Sequence, residues 1–244
     1  MNILVSPSDF VGQYDLPSAF STTDIIQSYI DREEKKMIQR LLGFTLGGLL
    51  ISYIALPKVP ITVGPLVIGK SYKIDVFIAG DDFTNVGAAS NASGIYFIAT
   101  GTTPTVYANL SSLIPDAVKR YDDILNPFFF SAEECDCVYS NFNTSGNSFM
   151  ESNGLKDMLL CDIYYCYLSE EQSIASMSGV ASGAIENGNV STMRNAYRKG
   201  EQKWNDAGLN TWYAIQWLCR IKSRSDYPDF TGTKGQVRYS SIIG

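Results

Sequence analysis

Histidine is absent from this chain of 244 residues. Its absence excludes Ser-His-Asp triads, histidine metal sites and the usual general base near neutral pH. Catalysis by Asp, Glu, Lys, Tyr or Cys stays open, but no such groups occur at a recognisable catalytic spacing. We therefore predict a protein that is not an enzyme and needs no cofactor. An unrecognised enzyme that uses Asp or Cys is the remaining alternative of that class.

A strong excess of either charge is also missing. The net charge is −6, and no long run of one sign occurs. A protein that grips nucleic acid needs a basic face, so DNA binding is not the expected main task. A neutral or acidic wall past which DNA slides remains compatible with this charge. The basic residues of the second half are scattered and predict mostly solvated surface: Lys119, Arg120, Arg194, Arg198, Lys199, Arg220, Lys222 and Arg224.

No apolar run reaches the roughly 20 residues that a membrane-spanning helix requires. The best candidate, residues 41–56, has sixteen uncharged residues, contains three glycines and is followed by Pro57. A buried helix suits this composition better than a membrane span. The apolar stretch at residues 1–5 is too short for a secretory signal peptide, so none is expected.

Five cysteines are present: Cys135, Cys137, Cys161, Cys166 and Cys219. An odd number in a chain of this length argues against a disulfide scaffold. The pair at 135 and 137 lacks the C-x₂-C spacing and the further ligands of a zinc knuckle, so no metal site is predicted. Cys161 and Cys166 lie in an apolar helical pattern, where cysteine acts as a small hydrophobe.

Helical periodicity occurs in two separate parts of the chain. The first part predicts a helix from about residue 24 to 42, with the charged residues 31–36 on a solvated face, and a second helix over residues 45–56. Helical sequence resumes with Pro115 at the first helical position and continues to Leu125.

The last third of the chain predicts two more helices. Residues 155–168 are apolar nearly all round, which indicates a central core helix. A long final helix is expected from about residue 191 to 221, with Trp204 and Trp217 in the core. Residues 127–153 are predicted to be irregular, and the small, polar residues 173–190 are predicted to form a loop.

The sequence between the two helical parts has strand-and-turn composition. Residues 58–113 are rich in Val, Ile, Tyr, Phe and Thr, with Gly, Pro, Asn and Asp between the runs. Strands are expected over residues 72–76 and 95–100. Asp81 and Asp82 lie in a predicted tight loop, where a turn or capping role is favoured over a calcium site because calcium needs six or more spaced oxygens.

These elements predict an α+β protein. A mainly α-helical bundle of about five helices comprises residues 1–57 and 114–225, and a small β-module at residues 58–113 is inserted into it. An extended C-terminal arm, residues 226–244, follows the final helix.

The helical frame resembles the head-to-tail connector (adaptor) proteins of tailed phages, especially those that infect Bacteroidetes. The segments that carry this resemblance are KRYDDILN, GLKDMLLCDIYYCYL, the loop GVASGAIENGNVS and AYRKGEQKWNDAGLNTWYAIQWL, in that order. They follow an opening helix that ends in MIQRLLG. The resemblance covers residues 20–57 and 114–230, about two-thirds of the chain.

The inserted segment resembles a small β-module found in many phage structural proteins. The module's pattern is G-x-x-Y-x-I, then D-F-T-x-x-G-A, then G-x-x-F-x-A-T-G. The matching residues are Gly69, Tyr72, Ile74, Asp82, Phe83, Thr84, Gly87, Ala88, Gly94, Phe97, Ala99, Thr100 and Gly101. The known adaptor frame lacks this module, so the resemblance indicates a virion protein and assigns the module no role of its own.

Together these resemblances imply a structural virion protein at the head–tail junction, made in the host cytoplasm. It would form a ring, of twelve subunits as the family implies, between the portal and the next neck or tail protein. DNA would pass through the channel without sequence-specific binding. The residues expected to bind the portal or a neighbouring subunit belong to the C-terminal arm: Tyr227, Phe230, Val237, Arg238, Tyr239, Ile242 and Ile243.

An alternative of another class is a surface- or membrane-associated binding protein. In that case the β-insert would recognise a receptor or a carbohydrate, and residues 41–56 would be exposed in the folded protein.

Overall fold

The computed structural model describes residues 3–10, 14, 23–130, 150–177, 198 and 200–232. Within these residues it contains five α-helices, a three-stranded antiparallel sheet and a two-stranded antiparallel sheet. The predicted α+β class is therefore confirmed. The described residues group into two compact units, one from residues 1–54 and 124–244 and the other from residues 55–123.

The helices begin and end close to the predicted positions in the first part of the chain. They are α1 (Thr23–Leu42), α2 (Phe44–Ala55), α3 (Lys119–Leu125), α4 (Leu155–Met177) and α5 (Leu209–Trp217). A π-helical turn lies on each side of α5, at Trp204–Gly208 and Leu218–Lys222. None of the described helices has the length and apolar composition required to cross a bilayer.

One side of α1 is buried, and it includes two carboxylates. Ile30 and Ile38 are fully buried, and Glu34 lies one turn from each of them at only 1 % exposure. Its carboxylate accepts hydrogen bonds from the backbone N–H groups of Ile3, Leu4 and Val5, at 2.8, 2.5 and 2.9 Å. The prediction that residues 31–36 form a solvated face is therefore wrong for Glu34, and also for the buried Glu33.

Helix α4 lies at the centre of the helical unit, as predicted. Its residues from Leu155 to Leu168 are almost all buried, and it packs against α1 and against the π-helical turn Trp204–Gly208. Gly208 permits the close approach, because a Cβ there would lie 3.0 Å from the Cβ of Cys161. Trp204 and Trp217 are both buried, so their predicted core positions are confirmed.

Three predictions of local structure are wrong. Pro115 is the last residue of strand β3 (Ser112–Pro115), where it pairs with Tyr72. Helix α3 begins only at Lys119, because Asp116 adopts a left-handed backbone conformation with φ 57°, which an α-helix does not allow. Within residues 127–153, β4 (Phe128–Phe130) pairs with β5 (Met150–Ser152). Helix α4 continues to Met177, because residues 173–177 contain no helix breaker.

The remaining residues of the predicted 173–190 loop and the predicted helix start near residue 191 lie outside the described part of the chain. The same holds for Cys135 and Cys137.

The unit of residues 55–123 has a sheet and a core of its own. Strand β1 (Ser71–Val76) pairs with β2 (Tyr96–Ile98) on one side and with β3 on the other. The nine core residues of the sheet and its loops are Leu66, Tyr72, Ile74, Phe83, Val86, Ala88, Phe97, Ala99 and Leu113. Both strands predicted here are confirmed, with the second shorter than expected.

Two aspartates hold the loops of this unit. Asp81 is buried and accepts hydrogen bonds from the backbone N–H groups of Ala108, Asn109 and Ser111 at 2.9–3.0 Å. Asp82 accepts from the N–H and hydroxyl of Thr84 and from the Asn91 amide. Asp82 therefore has the predicted turn role, whereas Asp81 joins its loop to residues 108–111, which the sequence did not predict.

We expect Gly87→Ala to destabilise the β-unit more than Gly94→Ala. Both glycines have positive φ, 111° and 85°, so alanine costs about 1–2 kcal/mol at either position. At Gly87 the added Cβ would also lie 2.5 Å from the Ile98 carbonyl oxygen, whereas at Gly94 it meets no atom within 4 Å. The extra cost at Gly87 is about 2 kcal/mol. Hydrogen exchange of peptides from residues 55–123 measures both losses, and equal losses would contradict this packing.

We expect the β-unit to lose stability between about pH 4 and pH 2. Burial alone would raise the pKa of Asp81, but the hydrogen bonds from Asn109, Ser111 and Ala108 outweigh burial and lower this pKa to about 2. Because the folded-state pKa lies below the unfolded value, the stabilisation is present above about pH 4 and disappears as pH falls through 2. It amounts to about 2 kcal/mol.

The measurement compares Asp81→Asn with the exposed control Asp75→Asn by hydrogen exchange of the β-unit at pH 7 and pH 3. Tryptophan fluorescence follows the helical unit separately, since all three tryptophans lie outside residues 55–123. Asp81→Asn should destabilise the β-unit at pH 7 and weaken its acid sensitivity. An unchanged pH response in this variant would show that other carboxylates control the transition.

Candidate partner-binding cleft

A cleft lies where the chain leaves α5 and returns to the end of α1. After the π-helical turn Leu218–Lys222, a short 3₁₀ turn at Arg224–Asp226 reverses the chain. The Thr231 N–H then donates to the Leu42 carbonyl at 3.3 Å. Gly232 passes so close to the Leu41 carbonyl that no side chain fits there. The chain therefore packs back against the end of α1, and glycine occupies the position of closest approach.

The cleft has a volume of about 500 Å³ and is open to solvent. Its lining includes Arg220, Arg224, Tyr227, Phe230, Thr231 and Gly232, and we refer to it as the arginine cleft. Of the predicted partner-binding residues, the structure brings together Tyr227 and Phe230, which both line it. Tyr227 is buried, and the Phe230 N–H donates to its carbonyl at 3.1 Å. The other predicted residues, Val237, Arg238, Tyr239, Ile242 and Ile243, lie outside the described residues.

Arg220 is held in place by uncharged groups. Its Nε donates to Gln216 Oε1 at 2.7 Å, and its Nη2 donates to the Gly232 carbonyl at 2.6 Å. The guanidinium also lies over the Phe230 ring, 5.0 Å from the centroid. Gln216 in turn donates from Nε2 to the Leu41 carbonyl at 3.0 Å, so the network reaches the end of α1.

Arg224 lies at the edge of the same cleft and is exposed. Among the residues that the structure describes, it forms no ion pair and no side-chain hydrogen bond. Sequence reasoning treated Arg220 and Arg224 as scattered surface charges, and so missed them as cleft residues. Helical spacing gave no signal for this pair, because the π-helical turn ends at Lys222 and Arg224 begins a separate 3₁₀ turn. Only Gln216 and Arg220, four residues apart, lie on the same helical run.

A second group of interest lies between α1 and α4. Ligand atoms of Glu33, Asp162 and Cys166 lie within 4.8 Å of one another. Glu33 is already paired with Lys36 at 2.8 Å and Arg32 at 2.6 Å; burial alone would raise its pKa, but these two cations outweigh burial and lower it. Burial, together with Asp162 and Glu33, raises the pKa of the Cys166 thiol to about 12. These features describe a charge-balanced network that joins two helices.

The described thiols are suited to packing and poorly suited to nucleophilic chemistry. Burial raises the pKa of Cys161 to about 12 and also raises the pKa of Cys219 at the cleft. The Tyr14 hydroxyl donates its one proton to Asp157 at 2.7 Å, so the Cys161 thiol is the donor in its 3.2 Å contact with the Tyr14 oxygen. The prediction that Cys161 acts as a small hydrophobe is consistent with its full burial.

No protein-family model, curated protein or solved structure matches the chain.

We expect the three described thiols to react at least about 100-fold more slowly than free cysteine at pH 8, because only the thiolate reacts and burial keeps these groups protonated. The test follows modification by a chromogenic disulfide in the double variant Cys135→Ser/Cys137→Ser, which removes the two thiols outside the described residues. The same variant in guanidinium provides the control for full reactivity. A native thiol that reacts at the rate of free cysteine would contradict this expectation and favour the cysteine-dependent enzyme.

Proposed function

We propose that this protein is a structural subunit of a tailed-phage virion that forms a ring at the head–tail junction. The ring bridges the portal to the next neck or tail protein and surrounds the DNA channel. The single observation that carries the proposal is the self-contained β-unit between α2 and α3. Its core and turns are formed by the residues of the phage-module pattern, within a helical frame that resembles head-to-tail connectors.

The roles of the pattern residues support this argument. Tyr72, Ile74, Phe83, Phe97 and Ala99 are core residues of the β-unit. The glycines of the pattern at 69, 87 and 94 have positive φ, which glycine adopts without strain. The pattern residues therefore form the core and turns of this small fold, and these roles support the proposal.

In this proposal the protein acts mechanically. The helical unit, built around the buried α4, provides a rigid body, and neighbouring subunits close the ring through heterologous contacts. The C-terminal arm, residues 226–244, docks on the portal or on a neighbouring subunit, with Tyr227 and Phe230 at its base. The net charge of −6 suits a channel that DNA crosses without adhering.

A second candidate function is receptor or carbohydrate binding by the β-unit. The specific observation in its favour is the number of large apolar side chains that this small unit exposes, among them Val63, Ile68 and Ile98, each more than 60 % accessible. Exposed apolar side chains mark a contact surface where they lie together in one patch. In the ring, the same surface would face an adjoining virion protein.

The first test is the mass of the purified protein alone and after mixing with the portal of its phage. We expect assembly on the portal, and we expect it to fail in a variant that ends at Gly232. This truncation removes the distal arm and keeps residues 227–232, which belong to the described lining of the arginine cleft or lie beside it. A full-length protein that stays monomeric beside the portal would contradict the proposal.

The control variant replaces residues 58–116 with a short Gly-Ser linker. The two ends of this segment lie close together, since Ile61 pairs with Leu113 and the Lys58 amine donates to the Asp116 carbonyl. We expect this variant to fold and to assemble on the portal. If it folds but does not assemble, the β-unit takes part in ring contacts. Binding to host cells that is lost only in this variant would favour the second candidate function.

A further inference from the structure

We propose that the arginine cleft binds an acidic peptide segment, with a glutamate or aspartate carboxylate held between Arg220 and Arg224. The recognition of a carboxylate follows from the cleft alone. The assignment of that segment to the portal rests on the proposed function.

Arg220 is fixed in orientation but still has unused hydrogen-bond donors. A guanidinium has five N–H donors, and the described residues accept from two of them, both through uncharged oxygens. Gln216, the Gly232 carbonyl and the Phe230 ring hold the group in one orientation without neutralising its charge. A positive group that is fixed before binding loses little conformational freedom when a ligand arrives.

The charge on the described lining of the cleft is positive. Arg224 adds a second guanidinium, and it has no ion-pair partner among the described residues. Asp229 lies near enough to the Cys219 thiol to contribute to its raised pKa, but neither Asp229 nor Asp226 lines the cleft. Among the described residues, the lining therefore contains two cations and no carboxylate, in a protein whose net charge is −6. Such a local reversal of sign selects an anionic ligand.

The shape of the guanidinium and the apolar lining determine which anion the cleft selects. The planar fork of arginine matches a carboxylate with two parallel hydrogen bonds. Tyr227, Pro228 and Phe230 add apolar surface beside the arginines, and a cleft of about 500 Å³ accommodates a few side chains. An acidic segment with an aromatic or aliphatic neighbour satisfies both features. Nucleic acid is disfavoured because a long polyanion also meets the acidic remainder of the surface.

The test measures the fluorescence anisotropy of a labelled ten-residue peptide that carries three glutamates and one phenylalanine. A matched peptide with glutamine in place of glutamate and a ten-residue oligothymidylate are the comparison probes. We expect the acidic peptide to bind at least about 10-fold more tightly than the glutamine peptide, and its binding to weaken as salt is raised.

The variants are Arg224→Gln and the matched control Lys222→Gln. Both residues are exposed cations two positions apart, but the Lys222 amine lies over the Trp217 ring and Lys222 does not line the cleft. We expect Arg224→Gln to weaken binding of the acidic peptide at least about 5-fold and Lys222→Gln to change it less than 2-fold. Arg220→Lys, which keeps the charge and loses the fork, should also weaken binding.

Several results would overturn the inference: equal binding of the two peptides, equal losses in Arg224→Gln and Lys222→Gln, or tighter binding of oligothymidylate, which would indicate a nucleic-acid site. Assembly of the same variants on the portal separates the two proposals. If the peptide binds and no ring forms, the cleft assignment stands and the neck assignment fails. If the ring forms and the peptide does not bind, the cleft assignment fails alone.

Discussion

The burial of α4 is the constraint on which the helical unit depends. This helix has apolar or aromatic residues on nearly every side, so water must be excluded from its whole circumference. Helix α1 covers one side, and the π-helical turn before α5 covers another. Trp204 is completely buried, and large aromatic side chains of this kind contribute about 3–5 kcal/mol when they fill a core. The positions of the other elements follow from the need to complete this cover.

Polar contacts then determine which segments provide the cover. Glu34 is buried only because three successive N–H groups of the N-terminal segment donate to it, and the segment is held in place by the same bonds. Asp9 and Lys156, 2.7 Å apart, link this segment to α4 as well. A buried carboxylate without such donors would be strongly destabilising. Many apolar segments would cover this core equally well. The polar contacts therefore specify which segment lies over it and in which arrangement.

The β-unit and the arginine cleft are the two candidate binding features of the described residues, and they differ in kind. Tyr72, Ile74, Phe83, Phe97 and Ala99 are occupied in the core of the β-unit, so any binding by this unit depends on its exposed side chains. The arginine cleft carries no recognisable motif. Its chemistry is nevertheless distinctive, since a fixed guanidinium and an exposed one share a cleft that none of the described carboxylates lines.

The sequence by itself determined the apolar core helix, the limits of α1 and α2, and the strand-rich segment between two helical parts, because local periodicity and glycine or proline positions encode such features. Only the tertiary structure decided that Glu34 is buried, that Pro115 ends a strand, and that Arg220 and Arg224 face one cleft with Phe230. Each of these depends on a partner distant in sequence: residues 3–5 for Glu34, Tyr72 for Pro115, and the return of residues 227–232 to α1 for the cleft. Periodicity reports which side of an element is apolar, and it carries no information about which distant polar atom meets it.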